Sequence, residues 1–271
     1  MKISYISLFP DLIKNYLSEA LLGKAQLNEI MSFDFYNIRD YAVNHYKSID
    51  DTIYGGSDGA LIQYEPLKKA LDNVPRLEKN LVIYLSPQGQ KIDKKLILDL
   101  KKQDQLILIS GRYAGIDERF IVHHVDLEIS VGDYVLSGGE LPSLVLTEVL
   151  SREIDGVLGN KKSVLEDSFS SGLLEAPQFT KPSEVDGHKV PQVLLSGDHL
   201  KIKEWNKNLS ILVTLKKRID LINQLLDKKE IVIDWKQLSL FYSELSNIEK
   251  NNLRVSDLEI TIHNYNKQDF K

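Results

Sequence analysis

The sequence predicts an α/β fold with a mostly parallel sheet, followed by a small helical domain. Short apolar runs alternate with helix-like stretches over the first 150 residues, and the composition then shifts near residue 159 towards Ser, Gly, Pro and charge. Helical periodicity returns after residue 199. With 271 residues, 42% of them hydrophobic, the chain can bury the core of one or two domains.

The sheet prediction rests on apolar runs of strand length. These runs are 3–8, 32–38, 81–85, 106–110 and, more weakly, 125–131. Helix-like stretches at 10–22 and 94–103 separate several of them. Strands that alternate with helices indicate a parallel sheet covered on both faces.

A further helix is predicted over 140–152, where apolar residues recur at helical spacing in ELPSLVLTEVLSR. Its start has two interpretations. Ser137 and Glu140 fit a capping box, whereas Pro142 prefers the first turn and favours a slightly later start.

Domain boundaries follow from the change in composition. A stretch from 159 to 199 with little periodicity is typical of a linker or a functional loop. We expect an α/β domain over 1–159, a flexible linker over 160–173, a helical domain over 174–248 and a polar tail over 249–271. Within the tail, the alternating LEITIHNY indicates either an edge strand or an unordered segment.

Composition excludes several classes of protein. The net charge of −5 provides no global basic field, so contact with nucleic acid has to be local. Without cysteine there are no disulfides, thiolate metal sites or cysteine nucleophiles. No apolar run approaches membrane-spanning length, and we expect a soluble protein of the cytoplasm.

The densest glycine motif is SVGDYVLSGGELP, residues 130–142, with three glycines in eight positions. The first strand is not followed by the G-x-G-x-x-G of a dinucleotide site, and GVLGNKKS fails the spacing of a phosphate loop. YGGSDGA, residues 54–60, is by itself typical of a flexible loop.

Glycine and proline also gather after the predicted strands, in SPQG (86–89), GRYAG (111–115) and the motif at 130–142. Ligands of open parallel sheets bind beyond the carboxyl ends of strands. The three loops form either one backbone-walled ligand pocket or a set of tight turns. Tyr84, Tyr113 and Tyr134 are either walls of that pocket or ordinary core and rim residues.

The order and spacing of these motifs resemble a known family. YLSPQGQK, GRYAGIDER, SVGDYVLSGGELP, GVLG…EDSF and VPQVLLSGDH are similar to the bacterial tRNA (guanine-37, N1)-methyltransferases, often called TrmD, over roughly residues 1–240. The resemblance implies a trefoil-knotted, parallel-sheet methyltransferase domain that binds S-adenosylmethionine in bent form. It also implies tRNA as substrate and a homodimer with each active site at the subunit interface.

The resemblance carries the cofactor site over by motif. Its expected residues are Leu85, Ser86, Pro87, Gly111, Tyr113, Val131, Gly132, Asp133, Tyr134, Val135, Leu136, Gly138, Gly139 and Pro142. The glycines are expected to let adenine and ribose lie against bare backbone. For Val131 and Leu136, simple core packing remains an alternative.

Two residues match the family's catalytic positions. N1 of guanine carries a proton, so the reaction needs a base and a group that stabilises charge on O6. Asp167, in EDSF, matches the general base, and Arg152 matches the group at the guanine oxygen. Taken alone, Asp167 is an ordinary loop acid and Arg152 an ordinary charge at a helix C-terminus.

Departures from the family pattern leave rival hypotheses open. Ala114 stands where the family commonly has a glutamate at the methionine end of the pocket, and Asp117 or Glu118 either compensates or is a solvated helix charge. Asp58 and Ala60 replace the usual proline and methionine. The rivals are another knotted RNA methyltransferase and a non-catalytic module that binds cofactor or RNA.

The helical region has a local basic excess suited to phosphate contacts, although the charge pattern alone favours a solvated helix face. Its basic residues are Lys201, Lys203, Lys207, Lys216, Lys217 and Arg218, against one acid, Glu204. Trp205 is either a stacking partner or a core residue. The six histidines show no metal-ligand spacing, so no metal site is predicted, and a loosely held Mg²⁺ is implied only by the family.

Overall fold

The computed structural model describes residues 1–43, 46–159 and 167–268, and for 267 and 268 the backbone alone. The chain divides into two compact units, Met1–Lys161 and Lys162–Lys271. Residues 160–166 of the predicted linker lie outside the described part. No helix among the described residues has the length and apolar character needed to cross a membrane.

The first unit is built on a parallel five-stranded sheet. Its strands are β1 (Lys2–Ser7), β2 (Ser32–Asn37), β5 (Asn80–Lys91), β6 (Gln105–Ser110) and β7 (Leu127–Ser130), in the order β2-β1-β6-β5-β7. A short antiparallel pair, β3 (Asp50–Thr52) and β4 (Ala60–Ile62), lies outside it. Every residue of β6 is buried, as expected for an apolar central strand covered on both faces. All five predicted strands are confirmed.

Helices cover both faces of this sheet. They are α1 (Pro10–Leu17), α2 (Ala20–Leu27), α3 (Tyr64–Asp72), α4 (Lys94–Leu100), α5 (Glu118–His124) and α6 (Glu140–Ser151). One core joins α1, α2, α4 and α6 to alternate strand residues such as Leu106 and Leu108. The other joins α3 and α5 to the intervening residues, Ile107 and Ile109. The α/β prediction is therefore confirmed at the level of the sheet and its helices.

Two helix predictions need correction. The helix expected over 10–22 is interrupted, because Ala20, the first residue of α2, adopts a φ of +49° and turns the chain away from the direction of α1. The capping box at Ser137 is wrong, since α6 begins at Glu140 after Gly139 and has no side-chain cap. Pro142 lies in the first turn, as the second interpretation required. The Glu140 carboxylate is instead used in tertiary contacts.

The second unit consists mainly of helices in its described residues. They are α7 (Gln192–Leu195), α8 (His199–Lys217), α9 (Ile219–Asp227), α10 (Trp235–Glu244), α11 (Asn247–Asn252) and α12 (Glu259–Gln268). The stretch expected to lack periodic structure contains α7 and a small hairpin, β8 (Glu184–Val185) and β9 (His188–Lys189). Trp205 is buried in the core of this unit, which decides between its two interpretations.

The C-terminal segment differs from its prediction. LEITIHNY forms most of α12, so both the edge-strand and the unordered interpretations are wrong. Leu258 and Ile262 are buried one helical turn apart, whereas Ile260 between them is exposed. The buried residues therefore follow the spacing of one helix face, although the apolar residues alternate in the sequence as they would in a strand. Tyr265 stacks on Trp235 with ring centres 4.5 Å apart, and the segment packs into the core of the second unit.

An Ile262→Ala variant tests whether this segment belongs to the core. Ile262 is 1% exposed, and its truncation should lower the free energy of unfolding by about 2–4 kcal/mol. The matched control is Ile260→Ala on the same helix, where the side chain is 76% exposed and the change should stay within about 0.5 kcal/mol. Urea unfolding followed by tryptophan fluorescence measures both. Equal effects at the two positions would contradict the packing.

Candidate functional site

Three loops line one cavity at the carboxyl ends of β5, β6 and β7. Its empty volume is about 620 Å³, part of it open to solvent. The lining residues are 84–87, 111–115, 129–132, 134–139 and Pro142. The structure thus favours a pocket over a set of unrelated turns. All the residues expected to bind the cofactor line this cavity, with the exception of Asp133.

Asp133 lies on the exposed side of its loop, where its carboxylate forms an ion pair with Lys91. Surface pairs of this kind contribute little to stability. The structure therefore places Asp133 apart from the other thirteen predicted residues, whose contact with a ligand stays a prediction.

A bulge in β5 produces the first loop. Leu85 and Gln90 both lie opposite Ile129 of β7, so the four residues 86–89 are looped out of the ladder. Gly89 permits this, because a Cβ there would overlap the backbone of Glu128 and Ile129. The bulge projects Ser86 and Pro87 into the cavity at the point where the strand would otherwise continue.

The glycines of the third loop make room first for the protein itself. The Gly139 N–H donates to the Gly111 carbonyl at 2.9 Å, and a Cβ on Gly139 would lie 2.7 Å from the Ser110 Cα. A Cβ on Gly138 would overlap the Arg112 guanidinium. From the sequence, these glycines are explained by the close approach of a ligand, and this explanation is therefore incomplete. They let the chain pack against β6 and its loop while also forming the cavity wall.

A buried polar seam holds α6 in position against the sheet. The Ser143 hydroxyl donates to the Gly139 carbonyl at 2.8 Å and lies 3.0 Å from the Ser110 hydroxyl. One turn further, Thr147 is hydrogen-bonded to the Tyr5 hydroxyl at 2.7 Å, and burial raises the pKa of Tyr5. A fully satisfied network of this kind specifies one packing of α6, and with it the position of the glycine loop.

Arg112 lines the cavity although it was not among the predicted site residues. Its Nε donates to Glu140 Oε2 at 2.9 Å, and the Ser7 hydroxyl donates to Oε1 of the same carboxylate at 2.8 Å. The guanidinium carbon lies 4.7 Å from the centre of the Phe9 ring. The available signal was its place inside GRYAG, between two residues that were predicted.

Tyr84 forms the floor beneath the second loop. A Cβ on Gly111 would lie 2.8 Å from its hydroxyl oxygen, and one on Gly115 would lie 3.3 Å from it. Burial raises the pKa of Tyr84 to about 12, so the phenol stays protonated near neutral pH. Tyr113 and Tyr134 also line the cavity but are more than half exposed.

The β3–β4 hairpin carries the altered YGGSDGA segment and flanks the same cavity. The Ala114 N–H donates to the Ala60 carbonyl at 3.0 Å, and the Ile62 N–H donates to the Gly115 carbonyl at 3.0 Å.

Asp117 pairs with Arg119, whose guanidinium holds the pKa of that carboxyl below its usual value. The structure therefore gives Asp117 a structural ion pair.

The two residues matched to catalytic positions lie in different units. Arg152 follows the last residue of α6 in the first unit and is exposed. Asp167 belongs to the second unit, and its role stays a prediction. Over 1–43, 46–159 and 167–268, no group of three His, Cys, Asp or Glu side chains is arranged to hold a metal ion.

Comparison with known proteins identifies the family. A model described as tRNA (guanine-1)-methyltransferase TrmD matches residues 1–224. The chain belongs to the TrmD family. Proteins named tRNA (guanine-N(1)-)-methyltransferase from Staphylococcus haemolyticus and Marinomonas sp. are 42% and 44% identical over 224 and 232 residues. These matches cover 83% and 85% of this chain, and 91% and 93% of the relatives.

A third relative of the same name, from Ruminiclostridium cellulolyticum, is 43% identical over 230 residues, 84% of this chain and 99% of its own length. These findings confirm the resemblance that the motifs indicated. The residues matched by the TrmD family model include the whole parallel sheet and the cavity, and the match ends within α9. Helices α10, α11 and α12 therefore lie beyond the residues that the model matches.

Proposed function

We propose that the protein transfers a methyl group from S-adenosylmethionine to N1 of guanine 37 in tRNA. The observation that carries this proposal is the single cavity built from the three motif loops in a chain of the TrmD family. The curated relatives are named for methylation of tRNA at N1 of guanine. The trefoil knot, the bent cofactor and the separate helical tRNA-binding domain are parts of the same proposal.

The cavity suits an adenosyl group. Its walls combine apolar side chains, such as Leu85, Ile129 and Pro142, with exposed main chain at the glycines. A planar ring needs this combination of flat apolar surface and backbone hydrogen-bonding groups. In the proposal, the thirteen predicted residues that line the cavity hold the cofactor, which supplies an electrophilic methyl group on its sulfonium.

The protein's own residues supply the proton transfer. N1 of guanine becomes a nucleophile when its proton leaves, and the Asp167 carboxylate accepts that proton. The Arg152 guanidinium donates hydrogen bonds to O6, where negative charge develops. The cavity walls would orient the methyl donor towards N1, which lowers the entropic cost of the reaction, and S-adenosylhomocysteine would leave after the transfer.

The second unit offers a surface for tRNA. All six basic residues of the local excess on and just after α8 are exposed. Lys201 pairs with Asp198, Lys216 lies near Asp257 and Arg218 pairs with Asp220. No ion pair with another residue that the structure describes is formed by Lys203, Lys207 or Lys217. In the proposal these three ammonium groups contact RNA phosphates.

An exposed apolar patch supports a homodimer. The patch extends over α1 and α6. These two helices are held together by the Tyr16 hydroxyl, which donates to Glu148 at 2.9 Å. The patch consists of Phe9, Leu12, Tyr16, Leu141, Val145 and Val149, each between 38% and 57% exposed. Pro142, beside this patch, lines the cavity. In the proposal a second copy covers the patch and completes each active site.

A Val145→Arg variant should be monomeric and lose at least about a hundredfold in methyl transfer, because a desolvated charge opposes the interface and each site needs both subunits. Light scattering after size-exclusion chromatography gives the mass. Val122→Arg, at an exposed apolar position on α5, is the matched control and should change neither mass nor rate. A dimeric, active Val145→Arg protein would contradict this interface.

Methyl transfer from labelled S-adenosylmethionine to two tRNA transcripts tests the function. One transcript has guanine at 36 and 37, and the other has adenine at 37. Transfer to the first alone, mapped to N1, is the expected result. A methyl group elsewhere would identify another RNA methyltransferase. Binding without transfer, unchanged after Ala114→Glu, would favour a non-catalytic module.

A further inference from the structure

Glu140 is an acidic side chain buried beside the cavity. It is the first residue of α6 and is 3% exposed, yet both carboxylate oxygens have partners. Ser7, at the end of β1, donates to one oxygen, and Arg112, after β6, donates to the other. A buried carboxylate needs such pairing, because an unpaired one would carry a large desolvation cost. Glu140 therefore ties three distant segments together at the edge of the cavity.

The conformation of Arg112 follows from this contact. Its side chain is 22% exposed, with Nε on Glu140 and the guanidinium over Phe9. Nη1 lies 3.4 Å from the Ser137 carbonyl, and no hydrogen bond from Nη2 to another described residue is found. The absence of a side chain on Gly138 leaves room for the ion pair. Arg112 is thus held rigidly while one nitrogen stays available to donate at the cavity wall.

We propose that Glu140 is a positioning residue, which aims the Arg112 guanidinium at the carboxylate of the cofactor's methionine group. This inference rests on the proposed function. Arginine recognises carboxylates through directed N–H donors, so its orientation determines how well it binds them. Arg112 adjoins Ala114, the position that the family resemblance assigns to the methionine end of the pocket.

Two ligands that differ in the methionine portion separate positioning from general structural support. S-adenosylhomocysteine carries the carboxylate, and 5′-methylthioadenosine lacks the whole amino-acid group. Glu140→Gln should weaken S-adenosylhomocysteine binding about tenfold, the loss of one charge-assisted contact, and leave methylthioadenosine affinity within about twofold. Arg112→Ala should have the same selectivity. In the double variant, the affinity for S-adenosylhomocysteine should be no more than about twofold weaker than in Arg112→Ala alone. Calorimetry on the full chain measures each affinity.

Glu153→Gln is the matched control, since this carboxylate just after α6 pairs with Lys94, is only 16% exposed and does not line the cavity. It should leave both affinities unchanged. If Glu140→Gln does not fold, Arg112→Lys preserves the charge next to Glu140 but not the directed donors, and should show the same selective loss.

Equal weakening of both ligands, or effects of Glu140→Gln and Arg112→Ala that multiply, would overturn the inference. Either result would mean that Glu140 supports the cavity without aiming Arg112. Failure of the proposed function has different signatures. If the cavity does not hold this cofactor, the unmodified protein itself would not bind S-adenosylhomocysteine, and if another reaction is catalysed, the transcript test would show it while the ligand selectivity stays as described.

Discussion

An Asp167→Asn variant is expected to lose methyl transfer by about a thousandfold while binding S-adenosylhomocysteine as tightly as the unmodified protein. Asparagine has nearly the same shape as aspartate but cannot accept the proton of guanine N1. General bases contribute roughly 10²- to 10⁴-fold to a rate, so a large effect on kcat is expected. Single-turnover transfer to a tRNA transcript, together with calorimetry, separates the chemical step from binding.

The pH dependence of this variant gives a second test. As pH rises, more of the guanine loses its N1 proton in solution, so the residual rate of Asp167→Asn should increase with pH. Asp186→Asn, at an exposed acid in the second unit, is the matched control and should keep full activity. A fully active Asp167→Asn protein would remove Asp167 from the mechanism. Loss of cofactor binding in this variant would assign it a structural role.

A Gly139→Val variant should lose stability and cofactor binding together. The new Cβ would lie 2.7 Å from the Ser110 Cα and 3.0 Å from the Gly111 nitrogen, which are backbone atoms that cannot move aside locally. Overpacking of this kind costs about 3 kcal/mol. Because Gly139 and Gly111 both line the cavity, their separation distorts it, and we expect at least about a hundredfold loss of S-adenosylhomocysteine affinity.

Two further variants give this prediction its controls. Gly139→Ala should show the same effects at smaller size, since its single methyl group occupies the same Cβ position. Gly159→Val should be neutral, because no atom lies within 4 Å of a Cβ built there. Thermal unfolding and calorimetry measure all three. Normal binding by Gly139→Val would show that the loop relaxes without disturbing the cavity.

The sheet and most of the cavity were predictable because their signals are local. Each strand is a short apolar run, and each loop of the cavity follows directly after one of them. Parallel strands bring their carboxyl ends to one edge, so loops that are far apart in sequence converge there. The resemblance of the three loop motifs to the TrmD family then identified thirteen lining residues, eight of which lie in the glycine motif at 130–142. Asp133 lies in the same motif but faces Lys91, which the spacing does not reveal.

The errors occurred where a local pattern had two structural meanings. Ser137 and Glu140 satisfy the spacing of a capping box, but tertiary partners 28 and 133 residues away engage the glutamate. The alternation of Leu258, Ile260 and Ile262 fits both a strand and part of a helical face, and packing against the second unit favours the helix. Long-range partners decided each case, and a single sequence contains no direct record of them.

The hydrogen bonds that join β1 to α6 have a consequence for biosynthesis. Ser7 and Glu140 are 133 residues apart, and Tyr5 and Thr147 are 142 apart. A ribosome that has made β1, β5 and β6 has therefore not yet produced the helix that closes the cavity. Contacts of such long range form late in folding. A nascent chain of the first unit is thus expected to acquire its ligand site only as α6 emerges, with the sheet already largely synthesised.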